Sequence, residues 1–125
     1  MKQEQYEAFE KSLSDKGYKR CDWRHRINDD FHFYKTLVYK TDKCDDKTAE
    51  LMITFVFWNW SKYPVEKDHD PYGVEAEILL TRTFEESVEL NFGQATVLEL
   101  GIDEIENIAR KFHKFSEKNI KVTRG

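Results

Sequence analysis

Residues 51–60 read LMITFVFWNW, and this segment restricts the fold more than any other part of the chain. A strand with one face in water alternates apolar and polar residues, because successive side chains point to opposite faces of the sheet. Here both sets of alternating positions are apolar, and the segment ends with two tryptophans. It therefore predicts an interior strand that either is covered on both faces or keeps one face for binding.

The beginning of the chain has the pattern of a surface helix. Tyr6, Phe9 and Leu13 recur at helical spacing among charged residues, and Gly17 stands where a glycine commonly ends a helix. Residues 2–16 are therefore predicted to form a helix that covers a sheet.

A second helix is predicted near the other end of the chain. Asp103 is a favourable N-cap residue, and Glu106 follows at the capping-box position. An apolar stripe continues to about residue 118, and Lys and Arg gather in the last turns, where they suit the helix dipole. Residues 96–100, TVLEL, fit either an extension of the preceding strand past a bulge at Gly93 or a separate segment.

Between the helices, alternating apolar residues and turn signals predict strands. The predicted strands span residues 18–27, 31–40, 51–60, 74–84 and 88–92. A single run of strands flanked by helices predicts an α+β fold, with one antiparallel sheet of about five strands and an N-terminal and a C-terminal helix packed on it. The order is α-β-β-β-β-β-α, over a single domain of residues 1–125 in which residues 119–125 form a loose tail.

Charge is unevenly distributed along the chain. The net charge of −4 argues against a dedicated nucleic-acid binder, which is usually basic. Residues 75–106 carry nine acidic side chains against Arg82 alone, whereas residues 16–26 and 107–125 are basic. Separate acidic and basic regions of this kind can steer a partner, and the acidic face that Glu75 and Glu77 share could meet a basic one.

Cysteine usage and hydropathy indicate the compartment. Cys21 and Cys44 show no framework spacing, although the sequence does not exclude a bridge between them. The N-terminus lacks the apolar region of a signal peptide, and the run from Leu51 is too short to span a bilayer. A cytoplasmic protein with free thiols and no membrane partner is expected.

The sequence predicts no catalytic residue, no metal ligand and no cofactor. The tripeptide Asp68-His69-Asp70 is the most ligand-like cluster, but adjacent residues on an extended chain point apart. His25, His32 and His113 show no metal-binding spacing. Nucleophile motifs and Gly-rich phosphate loops are absent from the sequence.

The leading hypothesis is a small, soluble, non-catalytic binding protein that acts through a protein–protein interaction. If one set of alternating positions of 51–60 faces the helices, the other needs a cover that the sequence does not supply. A large exposed apolar patch usually marks a partner, and tryptophan is enriched at interface hot spots. The predicted contacts, to a protein partner or to a second copy in a homodimer, are Val56, Trp58, Trp60, Tyr63 and Tyr72.

Two alternatives remain open. The basic, aromatic strand 18–27 could contact phosphates and stack bases, and this nucleic-acid hypothesis rests on Arg20, Trp23, Arg24 and Arg26. A small-molecule pocket or small enzyme could instead be built between helix and sheet. No motif identifies a family, although the short, charged, aromatic-rich chain would suit an accessory or inhibitor protein of a phage or mobile element.

Overall fold

The computed structural model describes residues 1–22, 30–39, 49–59, 70–81 and 87–119. Within these residues, two helices flank five strands in chain order. The helices are α1 (Gln3–Asp15) and α2 (Gln94–Asn119). The strands are β1 (Lys19–Asp22), β2 (Asp30–Tyr39), β3 (Ala49–Asn59), β4 (Tyr72–Thr81) and β5 (Ser87–Phe92). They form one sheet in the order β1-β2-β3-β4-β5 with every neighbouring pair antiparallel, which confirms the predicted α+β fold.

The predicted end of the first helix is confirmed at Gly17. This residue adopts a φ of 88°, the left-handed region that costs glycine little. The Tyr18 amide donates to the Leu13 carbonyl at 2.9 Å and the Gly17 amide to the Ser14 carbonyl at 3.1 Å. This pair of hydrogen bonds is the Schellman motif, which satisfies the last carbonyls of α1 and turns the chain into β1.

Both helices pack on the same face of the sheet. On that face β3 contributes Leu51, Ile53, Phe55 and Phe57, each fully buried. The antiparallel register places each of them beside a buried β4 residue, among them Val74, opposite Phe57. Buried side chains of both helices belong to the same core cluster, so one face of β3 is explained as core.

Aromatic rings fill the α1 side of this core. The rings of Tyr6 and Tyr72 stack with centroids 4.0 Å apart, and Tyr6 meets Phe31 and Phe57 edge-on at 5.7 and 5.4 Å. Phe9 contacts Phe57 in the same way at 5.7 Å. Burial of each large apolar side chain contributes about 1.5–3 kcal/mol, and favourable ring geometry adds about 0.5–1.5 kcal/mol per pair. The helical stripe predicted from the sequence is therefore what holds α1 on the sheet.

Residues 96–100 lie in the part of α2 before its break at Gly101, so TVLEL does not extend the preceding strand but forms a separate, helical segment. The Val97 amide donates to the Gly93 carbonyl at 3.0 Å, an i to i−4 helical bond. Val97 is buried whereas Leu98 and Glu99 are both exposed; strand alternation would place Glu99 on the same side as Val97. Gly101, with φ 78° and ψ 171°, interrupts the helix, and the part beyond it corresponds to the predicted second helix.

Arg20, one of the predicted nucleic-acid contacts, lies on the side of the sheet that the helices cover. Pairing of Arg20 with Phe33 places Arg20 on the helix-covered side, whereas Cys21 shares the other side with His32. The Arg20 guanidinium lies 4.3 Å from the centroid of the Phe31 ring and 3.7 Å from a carboxylate oxygen of Glu10. A long side chain on an edge strand can cover the margin of the core while its charged end stays near water.

The second half of α2 reaches Asn119, and residues 120–125 of the predicted tail lie outside the described residues. Among the described residues, no helix combines the length and the apolar character that crossing a membrane requires.

Candidate functional site

The candidate site is the face of the sheet opposite the helices, which we call the open face. None of its residues belongs to the core cluster that includes both described helices. The antiparallel register aligns them in three main cross-strand rows. These rows are Cys21–His32–Val56–Glu75, Lys19–Tyr34–Thr54–Glu77–Asn91 and Thr36–Met52–Leu79–Glu89, and Trp58 follows at one end, beside Gly73.

The centre of the open face is buried. Thr54 and Val56 are only 8% and 9% exposed. Each stands between longer side chains on the neighbouring strands, as Val56 does between His32 and Glu75. The two β3 residues thus form the floor of the face rather than its contact surface.

Partly exposed apolar side chains flank this floor at the two ends of β3. Trp58 pairs in register with Gly73 on β4, at one end of the face. Met52 and Leu79 are cross-strand partners at the other end, and all three are partly exposed. A docking partner could reach the face at both ends of β3.

Three carboxylates border the open face on the β4–β5 side. Glu75 and Glu89 are exposed, and Glu77 is partly buried between Thr54 and Asn91. Burial raises the pKa of Glu77, and repulsion from Glu89 and Glu75 raises it further. The opposite edge carries the exposed Lys19, so the face is acidic on one side and holds a cation on the other.

The predicted partner contacts are divided between two faces. Val56 and Trp58 lie on the open face, with Val56 in its floor. Tyr72 lies on the helix-covered face, where it is 9% exposed and stacks on Tyr6. Trp60 and Tyr63 lie outside the described residues. Among the predicted contacts that are described, Trp58 is the one that a partner could reach most readily.

The predicted nucleic-acid contacts are represented by one described residue. Arg20 lies on the helix side, against Phe31 and Glu10. Trp23, Arg24 and Arg26 lie outside the described residues. The nucleic-acid hypothesis therefore gains no support from the placement of Arg20.

A groove of about 450 Å³ runs between the two helices, rather than between helix and sheet as the pocket hypothesis proposed. Phe9, Val97 and Ile102 are among its apolar lining residues. Its charged lining residues are Lys16 and Asp103, which pair with each other. The converging His or Glu side chains that a catalytic pocket would need are absent from its described lining.

Strand alternation predicted Met52 on the same face as Val56 and Trp58. Leu79 and Glu89 were not identified as site residues from the sequence. Strand alternation could have placed Leu79 in the site, because Leu79 lies on the same strand face as Glu75 and Glu77. Glu89 requires the β4–β5 register, which joins it to Leu79. Comparison of the chain with protein-family models, with curated proteins and with solved structures found no match.

Proposed function

We propose that this chain is a small non-catalytic binding protein of the cytoplasm that holds a protein partner on its open face. The observation that supports it most is the set Met52, Trp58 and Leu79, partly exposed on a face without a helix among the described residues. Exposed apolar patches bordered by polar residues mark interaction sites, and tryptophan is a frequent hot spot.

The charges of the open face favour a basic partner. Glu75, Glu77 and Glu89 border the apolar residues, and mutual repulsion contributes to the raised pKa of Glu77. A Lys or Arg placed beside these carboxylates would relieve that repulsion. The partner that fits is a protein surface or peptide with an exposed aromatic or aliphatic side chain next to Lys or Arg.

The face is also well supported from beneath. β3 pairs along most of its length with both β2 and β4, and the other side of β3 is fully buried. A preordered surface binds with a smaller entropy cost than a segment that must fold on binding. Binding therefore needs rearrangement only of the partly exposed side chains.

A peptide-display selection on the immobilised protein tests this proposal. We expect enriched peptides that combine an aromatic or aliphatic residue with Lys or Arg, and binding that weakens as salt rises. Trp58→Ala should weaken a selected peptide by about 30-fold or more, as for a hot-spot residue of at least 2 kcal/mol. Glu104→Gln, an exposed acid on α2, is the control and should leave the affinity unchanged.

Thermal unfolding of each variant checks that the fold survives the substitution. Selected peptides without basic residues, or peptides that bind Trp58→Ala as well as the native chain, would refute the proposal. Sedimentation equilibrium tests the alternative in which a second copy of the chain binds the open face. A dimer that Trp58→Ala converts to a monomer would assign the open face to a second copy and overturn the proposal of a different partner.

A further inference from the structure

A cluster of one histidine and two carboxylates joins the end of α2 to the start of β3. His113 is 8% exposed, and its Nε2 lies 3.1 Å from Oε1 of Glu50 and 3.5 Å from Oε1 of Glu117. The three side chains can offer ligand atoms that all lie within 4.8 Å of one another. This cluster lies apart from the open face and from the groove between the helices.

Two local features bring these residues together. Glu117 follows His113 by four residues, so both stand on one side of α2. Glu50 lies where the β2–β3 register is irregular: Leu51 pairs with Val38 and Ala49 with Tyr39. In regular alternation Glu50 would share the open face with Met52, but a bulge re-aims a side chain, and Glu50 meets His113.

The hydrogen-bonding capacity of the imidazole does not suit two carboxylates. Both carboxylate oxygens approach the same ring nitrogen, Nε2, which carries at most one proton. That proton can point well at one oxygen, so the second carboxylate gains little from it. A cation placed between the three atoms would satisfy both carboxylates and the lone pair of the neutral imidazole together.

We propose that His113, Glu50 and Glu117 bind a divalent transition-metal ion, with Zn²⁺ as the best fit. Imidazole nitrogen and Glu oxygen are ordinary zinc ligands at about 2.0–2.2 Å, and tetrahedral geometry then separates ligand atoms by about 3.3–3.6 Å. The distances of 3.1 and 3.5 Å from Nε2 are close to this separation. The side chain of Glu117 is 52% exposed, so the ion has a route from solvent and a fourth position for water.

The sequence did not point to this site because Glu50 lies 63 residues before His113. The spacing of His113 and Glu117 was visible, but a His and a Glu four residues apart on a helix are common without a metal. The bulge in β3 is what completes the ligand set.

Titration of the metal-free protein with ZnCl2 by calorimetry tests the site. The Cys21→Ser/Cys44→Ser background removes the thiols as competing ligands, because Cys21 is exposed. We expect one Zn²⁺ per chain, a rise of the unfolding midpoint with zinc concentration, and reversal by a chelator. Co²⁺ should give visible bands of a nitrogen- and oxygen-ligated, four-coordinate ion without a thiolate band.

Variants separate metal binding from a purely structural contact. Glu117→Gln and Glu50→Gln should each lower zinc affinity tenfold or more, whereas the exposed Glu104→Gln should not. Glu117→Gln is the decisive variant, because this partly exposed residue can change without disturbing the core. Absence of binding at millimolar zinc, or affinity unchanged in both Gln variants, would reduce the cluster to a hydrogen-bonded tie between α2 and β3 and overturn the proposal.

Discussion

The hydroxyl of Tyr18 donates a hydrogen bond of 2.8 Å to Oε1 of Glu106 and thereby joins the chain after α1 to α2. The Nζ of Lys35, on β2, lies 3.6 Å from the same carboxylate oxygen and 5.5 Å from the centre of the Tyr18 ring. The Glu106 side chain is only 17% exposed. Three parts of the fold therefore meet at one partly buried carboxylate.

Replacement of Tyr18 by Phe should lower the free energy of unfolding by about 1–3 kcal/mol. The substitution keeps the buried ring but removes a hydrogen bond to a charged group, and such bonds contribute about that amount. Urea denaturation at neutral pH measures the change. Tyr39→Phe is the control: Tyr39 is 57% exposed, so its loss of a hydroxyl should change stability by less than about 0.5 kcal/mol. Equal effects in both variants would contradict the role of the Glu106 contact.

Stability should fall as the pH rises above about 10. Burial raises the pKa of both Tyr6 and Tyr18, and nearby Glu10 and Glu106, respectively, raise it further. Unfolded tyrosine ionises near pH 10, so the stabilisation from these neutral phenols is present below that pH and is lost as the pH rises toward the folded-state values. Absorbance at 295 nm should show that Tyr6 and Tyr18 ionise only with unfolding.

The variant Tyr18→Phe provides the matching test of this alkaline transition. It should reduce the steepness with which stability falls above pH 10, whereas Tyr39→Phe should not. If Tyr6 and Tyr18 titrate near pH 10 while circular dichroism stays that of the folded protein, the burial explanation is wrong.

Local periodicity predicted the parts of the fold that depend on neighbouring residues. Spacing within one element predicted three features: the Tyr6–Phe9–Leu13 stripe, the end of α1 at Gly17 and the burial of alternate residues of β3. TVLEL was not assigned to a helix, because five residues with both Thr and Val fit either period. Its packing against the core, at Val97, decided the outcome.

The sequence pattern did not predict contacts between segments that lie far apart in the chain. Both helices pack on one face of the sheet, and Arg20 contacts Phe31. These contacts depend on strand pairing and not on alternation alone. The meeting of Glu50 and His113 depends on a register irregularity that no composition signal marks. Trp58 was predicted from its position within β3. Glu89, on the acidic side of the open face, was not predicted, because its place depends on the β4–β5 register.

Substitution of Gly101 by Ala should destabilise the protein by about 1–3 kcal/mol. Its φ of 78° and ψ of 171° lie in a region that is essentially restricted to glycine, and a side chain there brings strain of about that size. A built Cβ meets nothing within 4 Å, so backbone strain rather than a clash is responsible. Gly93→Ala is the control, because Gly93 has equal space and no positive φ. Chemical denaturation of both variants should show a loss only at Gly101; equal stability would contradict the strained break.

Replacement of Glu77 by Gln should stabilise the fold at neutral pH and weaken partner binding. Burial and the neighbours Glu89 and Glu75 raise the pKa of Glu77. A raised folded-state pKa means that the stabilisation from the protonated form is present below the unfolded pKa, about 4.3, and is lost as the pH rises through the folded value. At neutral pH the ionised carboxylate therefore opposes folding, and the neutral amide removes that penalty. The unfolding midpoint of Glu77→Gln should exceed that of the native chain at pH 7, and the difference should shrink toward pH 4.

The exposed Glu104→Gln serves as the matched control, because it removes the same charge away from the open face. Its midpoint should change little at either pH. Binding of a selected basic peptide gives the second readout, in which Glu77→Gln should lose affinity, with a weaker salt dependence. A variant that gains stability and loses affinity together would show that Glu77 is held on the open face at a cost to the fold. A loss of stability at pH 7, or unchanged peptide affinity, would contradict this assignment.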